Sequence, residues 1–186
     1  MKQNIKKIDS LNTPCLILDK EILKNNCNSV LKRCKDLEVS LRPHVKTPKC
    51  IEVVKIALNN DTGPITVSTL QEAEYFASSK FKDILYAVGI VPSKLPRIAK
   101  MQEEHGCIIQ VILDSVEMAK AVADYAKLNK VNLEILIEID SGEGRSGLRP
   151  NDKKLNEISS ILKEYSQIKL MGVMTHAGHS YNSNNP

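Results

Sequence analysis

The sequence predicts an α/β fold, a (β/α)8 TIM-type barrel in which parallel strands alternate with helices. The predicted strands are nearly continuous apolar runs, and each is followed by a segment with apolar residues at helical spacing. The repeat of about 20–35 residues suits a strand–helix unit. Because no GxGxxG motif follows the early strands, the barrel fits the pattern better than a doubly wound dinucleotide-binding sheet.

About six of the eight strand–helix units of such a barrel are expected here, because the chain has 186 residues and a complete barrel needs about 250. A further short strand is expected at residues 13–18, before the first helix. The strands expected in the barrel are residues 39–46, 65–68, 84–88, 108–113, 133–139 and 170–175.

Capping residues mark three of the helix starts. Asp19 precedes a helix in which apolar residues recur every three or four positions. Thr47 followed by Pro48 predicts a second start, because proline loses no hydrogen bond in a first helical turn. Residues 69–72 (TLQE) have the capping-box pattern and open a third helix. Later helices are expected at residues 94–104, 115–128 and 151–165.

The composition is that of an ordinary globular domain, with 42% hydrophobic and 26% charged residues. The net charge of +4 is spread along the chain and aromatic residues are only 4%, so we expect no nucleic-acid partner. No run reaches the roughly 18 apolar residues of a membrane span, and residues 1–10 lack the apolar stretch of an export signal. The five cysteines show no CxxC pairing, which favours a reducing, cytoplasmic location.

Residues 41–49 (LRPHVKTPK) carry the most informative pattern in the chain. On a strand, Arg42, His44 and Lys46 share one face while Val45 points to the other. A cationic inner face favours an anionic or carbonyl-bearing ligand, and Lys46 is a candidate amine nucleophile that forms a Schiff base. An exposed edge strand with solvated Arg42 and Lys46 is the alternative interpretation.

A glycine-rich turn, residues 140–147 (DSGEGRSG), follows the strand at 133–139. Its glycines let the backbone fold tightly and approach a ligand closely. Arg145 would direct a guanidinium group at an oxyanion or phenolate. Alternatively, Arg145 pairs with Asp140 or Glu143 within the loop.

His176 follows the last predicted strand, and we interpret it as a flat ring placed against a flat ligand. A hydrogen-bonded structural histidine is the alternative. The chain has four histidines without convergent spacing, whereas zinc needs three or four ligands, so we assign no metal ligand. Because the active sites of such barrels lie at the carboxyl ends of the strands, we expect Lys46, Arg145 and His176 to lie together.

These stretches together resemble the pyridoxal-phosphate enzymes of the alanine racemase fold (fold type III), within the D-threonine aldolase and D-serine dehydratase subgroup. Residues 42–47 (RPHVKT) match the hallmark of that subgroup, and residues 12–19 (NTPCLILD) and 65–74 (ITVSTLQEAE) resemble its opening and its second strand–helix unit. One departure is Pro48, which stands where the subgroup usually has histidine.

The resemblance implies that residues 19–186 form part of a pyridoxal 5'-phosphate-binding barrel. Residues 1–18 would contribute a strand to a C-terminal β-rich domain. Lys46 would hold the cofactor as a Schiff base, Arg145 would lie near its phenolic oxygen, and His176 would lie against its pyridine ring. His44, beside Lys46, is included in the cofactor-binding set.

The resemblance further implies a lyase that acts on D-β-hydroxy amino acids, and a homodimer when full length. A divalent metal site is possible in the full-length family, built from residues later than those seen here. An amino-acid racemase and a non-catalytic pyridoxal-phosphate carrier are the alternatives. A third alternative is a truncated, inactive piece, whose unclosed sheet edge would recruit another chain.

Overall fold

A five-stranded parallel sheet, with neighbouring strands in chain order, forms the centre of the protein. The structure is a computed structural model that describes residues 10–59 and 61–184. This sequential order confirms the predicted α/β class and matches a partial TIM barrel. The strands are β1 (Ile65–Val67), β2 (Asp83–Gly89), β3 (Ile108–Leu113), β4 (Leu133–Ile139) and β5 (Ile168–Thr175).

The helices alternate with the strands along the chain. Two short 3-10 helices, Pro92–Lys94 and Gly178–Asn182, follow β2 and β5. The chain divides into two compact units, Met1–Ser40 and Leu41–Pro186, and the sheet lies in the second. The α-helices are α1 (Lys20–Asp36), α2 (Ile51–Ala57), α3 (Leu70–Ser78), α4 (Leu95–His105), α5 (Val116–Asn129) and α6 (Lys154–Lys163).

Two of the predicted helix caps are confirmed. The Asp19 carboxylate accepts hydrogen bonds from the N–H groups of Glu21 and Ile22, at 2.9 and 3.0 Å, and so caps α1. Thr69 Oγ1 accepts from the Glu72 N–H at 3.1 Å and caps α3. These first-turn N–H groups, which have no partner within their own helix, are therefore hydrogen-bonded to the capping side chains.

Two predicted strands are not formed. Residues 39–46 make only an isolated parallel bridge at His44, where the Val45 N–H donates to the Thr66 carbonyl and the Thr66 N–H donates to the Pro43 carbonyl, both at 2.9 Å. Pro43 has no N–H to extend this ladder. Residues 13–18 form no strand either; in the described residues they make no ladder of hydrogen bonds with another strand.

The predicted start of α2 is also wrong. Thr47 does not cap it; residues 46–48 form a turn, and α2 begins at Ile51 with Cys50 at the N-cap. Lys49 has a φ of +42°, a left-handed conformation that interrupts any helix beginning at Thr47. Of the predicted segment 1–18, residues 1–9 lie outside the described residues, and its assignment to a β-rich domain stays a prediction.

Side-chain alternation along β3 and β4 separates a wholly apolar face from one that carries polar residues. Ile109, Val111 and Ile135 belong to the buried core that the helices cover. The intervening Gln110 and Glu134 point to the opposite face, where the Gln110 amide donates to the Glu134 carboxylate at 2.8 Å. The polar face corresponds to the inside of a barrel.

Paired charges occupy this inner face. The Arg42 guanidinium donates to both carboxylate oxygens of Asp83, at 2.7 and 3.0 Å. Glu134 accepts from the Lys169 ammonium at 2.8 Å as well as from Gln110. Burial alone would raise the pKa of Glu134, but these two hydrogen bonds outweigh it and the pKa is lowered. Glu134 therefore remains charged at neutral pH.

Glu72 connects the turn after Lys46 to the start of α3. Its side chain is 8% exposed, and its carboxylate accepts from the Ser68 N–H at 2.8 Å and pairs with the Lys49 ammonium at 3.1 Å. Burial by itself would raise the pKa of Glu72, but the Ser68 hydrogen bond and the Lys49 charge outweigh it and lower the pKa below 4.5. The carboxylate form thus stabilises the junction of the two segments.

Phe76 tests the packing of the core between α3 and the sheet. It is fully buried, and its ring makes an edge-to-face contact with Phe81 at 5.2 Å. We expect Phe76→Ala to lower the free energy of unfolding by about 3–5 kcal/mol, through lost burial and a residual cavity. Leu128→Ala, at an 83% exposed position, should change it by less than about 0.5 kcal/mol. Denaturant titration of both variants measures these values; equal effects would contradict the described core.

Glu72 should also make stability depend on pH. A carboxyl group whose folded-state pKa lies below 4.5 stabilises the fold above that pH, and the stabilisation is lost as pH falls through the folded-state pKa. We expect Glu72→Gln to be less stable than wild type by about 1–3 kcal/mol at pH 7, with the difference shrinking below pH 4.5. Denaturation midpoints between pH 7 and pH 3 measure this, with Glu103→Gln as an exposed control; a pH-independent difference would refute it.

Candidate active site

A cavity of about 330 Å³ opens at the carboxyl ends of the strands. Lys46, His44, Arg145 and His176, which come from three separate parts of the sequence, all line it. Parallel strands bring their carboxyl ends to one edge, so residues distant in the chain meet there. The structure thus brings together Lys46, Arg145 and His176, which we expected to lie together, with His44 beside them.

The segment 42–46 presents its polar side chains to the cavity. Arg42, His44 and Lys46 line it, whereas Val45 is 1% exposed and belongs to the core. The two backbone hydrogen bonds to Thr66 hold the segment in an extended form, although it makes only one bridge. The predicted alternation of faces is therefore present even though the predicted strand is not.

His44 is held between Lys46 and Ser68. Its Nδ1 accepts from the Lys46 backbone N–H at 3.3 Å, and its Nε2 lies 3.2 Å from Ser68 Oγ. Desolvation lowers the pKa of His44 below 6.5, and the Lys46 ammonium lowers it further. His44 is therefore neutral at pH 7, with Nδ1 as the acceptor and the Nε2 proton donated to Ser68.

Arg145 is not paired within its own loop. The Asp140 carboxylate accepts instead from the N–H groups of Gly142 and Gly144, at 2.9 and 3.0 Å, and these bonds lower the pKa of Asp140. Glu143 pairs with His176. Within residues 10–59 and 61–184 the Arg145 side chain makes no hydrogen bond or ion pair, so its guanidinium can bind a ligand in the cavity.

Gly147 confirms the tight turn predicted after β4. Its φ is +92°, and a Cβ atom there would lie 2.7 Å from the Asp140 backbone nitrogen. Its N–H donates to the Asp114 carboxylate at 3.1 Å. Only glycine satisfies both the conformation and the space, and the turn returns Arg145 to the cavity edge.

His176 lines the cavity and is also hydrogen-bonded, as the alternative interpretation expected. Its placement against a flat ligand stays a prediction. Its Nδ1 lies 2.9 Å from Glu143 Oε2. The adjacent Thr175 Oγ1 donates to Ser141 Oγ at 2.8 Å. The loops after β4 and β5 are thus tied to each other next to the cavity.

Glu138 is a cavity residue that the sequence patterns did not single out. It lies near the end of β4, is 5% exposed, lines the cavity and accepts from Ser146 Oγ at 2.7 Å. An available signal was the charged residue in an apolar strand: Glu134 and Glu138 are four apart and therefore share the inner face. The cavity lining thus includes a buried carboxyl group beside its cationic side chains.

The site combines an amine, an unpaired guanidinium, a neutral imidazole and an imidazole–carboxylate pair. This donor set suits a planar anionic ligand that carries a carbonyl group. In the part of the chain that the structure describes, no three or more His, Cys, Asp or Glu residues are grouped to hold a metal ion. No helix among those residues is long and apolar enough to cross a membrane.

Comparison with known proteins shows clear relatives. The chain is 35% identical over 201 residues to the D-serine dehydratase of Dictyostelium discoideum, covering 100% of this chain and 50% of that protein. It is 36% identical over 177 residues to the D-threo-3-hydroxyaspartate dehydratase of Delftia sp. (strain HT23), covering 95% and 46%. It is 24% identical over 169 residues to the D-threonine aldolase of Arthrobacter sp., covering 90% and 44%.

A solved structure of the Delftia sp. HT23 dehydratase superposes with a TM-score of 0.89 at 37% identity, over 95% of this chain and 46% of that one. The chain thus spans about half the length of the curated relatives it matches. The family model described as alanine racemase, N-terminal domain, matches residues 18–186. The chain therefore belongs to the alanine racemase N-terminal domain family.

Proposed function

We propose that the complete protein is a pyridoxal-phosphate-dependent lyase that acts on D-β-hydroxy amino acids, with Lys46 holding the cofactor. The observation that carries this proposal is the meeting of Lys46, Arg145 and His176 in one cavity. The family assignment and the dehydratase and aldolase relatives support it.

The donor set fits pyridoxal phosphate. The Lys46 amine can condense with an aldehyde. Within the described residues its side chain has no hydrogen-bond or ion-pair partner that would compete with this reaction. Arg145 offers a free guanidinium for a phenolic oxygen, and His176 offers a flat ring surface. When bound, the cofactor would withdraw electrons from the bond that breaks at the substrate Cα.

The protein's own residues would position the reacting groups and move protons. The Lys46 amine, once the substrate amine has taken its place on the cofactor, would be the base that takes the Cα proton. His44, which is neutral and donates to Ser68, puts no second positive charge beside Lys46. Arg145 would offset negative charge on the phenolic oxygen.

Among the possible lyase reactions, dehydration is favoured. The two dehydratases compared share 35% and 36% identity with this chain, against 24% for the D-threonine aldolase. Dehydration removes the Cα proton and the β-hydroxyl as water, and hydrolysis of the resulting imine returns one water and gives a 2-oxo acid and ammonium. For D-serine the products would be pyruvate and ammonium.

Lys46 can be tested by spectroscopy on the full-length protein. We expect wild type mixed with pyridoxal phosphate to give a protein-bound absorption band, and borohydride reduction followed by peptide mapping to place the label on Lys46. Lys46→Ala should lose the band, the label and at least about 10³-fold of kcat, because the covalent attachment is gone. The exposed Lys120→Ala is the matched control and should keep all three. Full activity in Lys46→Ala would refute the proposal.

The reaction type can be tested by product analysis. With D-serine, D-threonine and D-threo-3-hydroxyaspartate, we expect a 2-oxo acid and ammonium in equal amounts. Glycine and an aldehyde would instead identify an aldolase, and L-serine would identify a racemase. A full-length protein that binds the cofactor but converts none of these substrates would indicate a carrier and exclude the lyase proposal.

A further inference from the structure

Glu143 and His176 come from different loops and meet at the cavity edge. His176 follows β5, Glu143 lies in the loop after β4, and His176 Nδ1 is 2.9 Å from Glu143 Oε2. The two side chains are 30% and 33% exposed. The pair is therefore partly shielded from water, where a charge-assisted hydrogen bond holds its geometry better than on an open surface.

Gly178 leaves the space that the Glu143 carboxylate occupies. Gly178 is buried, and a Cβ atom at this position would overlap the carboxyl group of Glu143. Its φ is not in the left-handed region, so the backbone conformation does not require glycine. Residue 178 is glycine because the Glu143 carboxylate occupies the space that a side chain there would need.

The loop that carries Glu143 is itself fixed. The Asp140 carboxylate accepts from the N–H groups on either side of Glu143, those of Gly142 and Gly144. Ser141 in the same loop accepts from Thr175, the residue before His176. These contacts hold the backbone from which the Glu143 side chain extends.

A carboxylate can only accept a hydrogen bond, so its contact with His176 requires a proton on Nδ1. The outer torsion of a histidine side chain is otherwise broad, and the ring can rotate. A carboxylate partner fixes both the ring orientation and the site of the proton, as carboxylates do for metal-binding histidines.

We infer that Glu143 is a positioning residue that holds the ring of His176 in one orientation, with Nδ1 protonated, ready to lie against the cofactor. The cofactor-facing part of this role rests on the proposed function. Glu143 itself touches no reacting atom and acts through His176.

The experiment uses full-length protein without cofactor, labelled with ¹⁵N at histidine. Imidazole nitrogen signals are recorded at pH 8.5, where ordinary imidazoles are neutral, and the His176 signals are identified by their loss in His176→Gln. We expect wild type to show protonated Nδ1. In Glu143→Ala, His176 should become a mixture of its two neutral tautomers. Gly178→Ala should have the same effect on His176, because the added methyl group displaces the Glu143 carboxylate. Glu143→Gln should keep protonated Nδ1, because its amide oxygen still accepts. Glu103→Ala, an exposed position on α4, should match wild type.

The same variants carry a kinetic readout. With cofactor bound, Glu143→Ala should lower kcat by about 10- to 100-fold with little change in KM, and Glu143→Gln should recover most of the loss. An unchanged His176 tautomer in Glu143→Ala would overturn the inference. A wild type that shows protonated Nδ1 yet gives no absorption band with pyridoxal phosphate would support the coupling of Glu143 to His176 and overturn the proposed function.

Discussion

Two backbone hydrogen bonds, from Val45 to Thr66 and from Thr66 to Pro43, are the constraint on which the candidate site depends. They join the segment before α2 to the first sheet strand, and the extended backbone then alternates its side chains. Val45 enters the core while His44 and Lys46 face the cavity. If this bridge were lost, neither the amine nor the imidazole would be held beside the ends of the strands.

The charges of the site are distributed so that some groups are paired and others stay available. Arg42 is bound by Asp83, and Lys49 by the buried Glu72, so these cations already have protein partners. In the described part of the chain, the side chains of Lys46 and Arg145 have no such partners. Lys46 and Arg145 lie in the same cavity, and this pair of cationic side chains suits an anionic, carbonyl-bearing ligand.

The loops after β4 and β5 act as one unit. The contacts between Glu143 and His176 and between Thr175 and Ser141 join them beside the cavity. The loop after β4 also carries Arg145, so the same contacts hold the imidazole of His176 and the backbone from which Arg145 extends. Such preorganisation leaves little side-chain ordering to be done when a ligand binds.

The sequence by itself determined the fold class, the bounds of β3 and β4, and the four predicted side chains that line the cavity, because residue periodicity and strand ends are local properties. The tertiary structure alone decided that residues 39–46 make one bridge and that Lys49 adopts a positive φ and delays α2. It also decided that Glu138 lines the cavity and that Glu143 pairs with His176. Each of these outcomes depends on a partner that is distant in the chain or on packing. The local spacing of residues encodes neither the distant partner nor the packing.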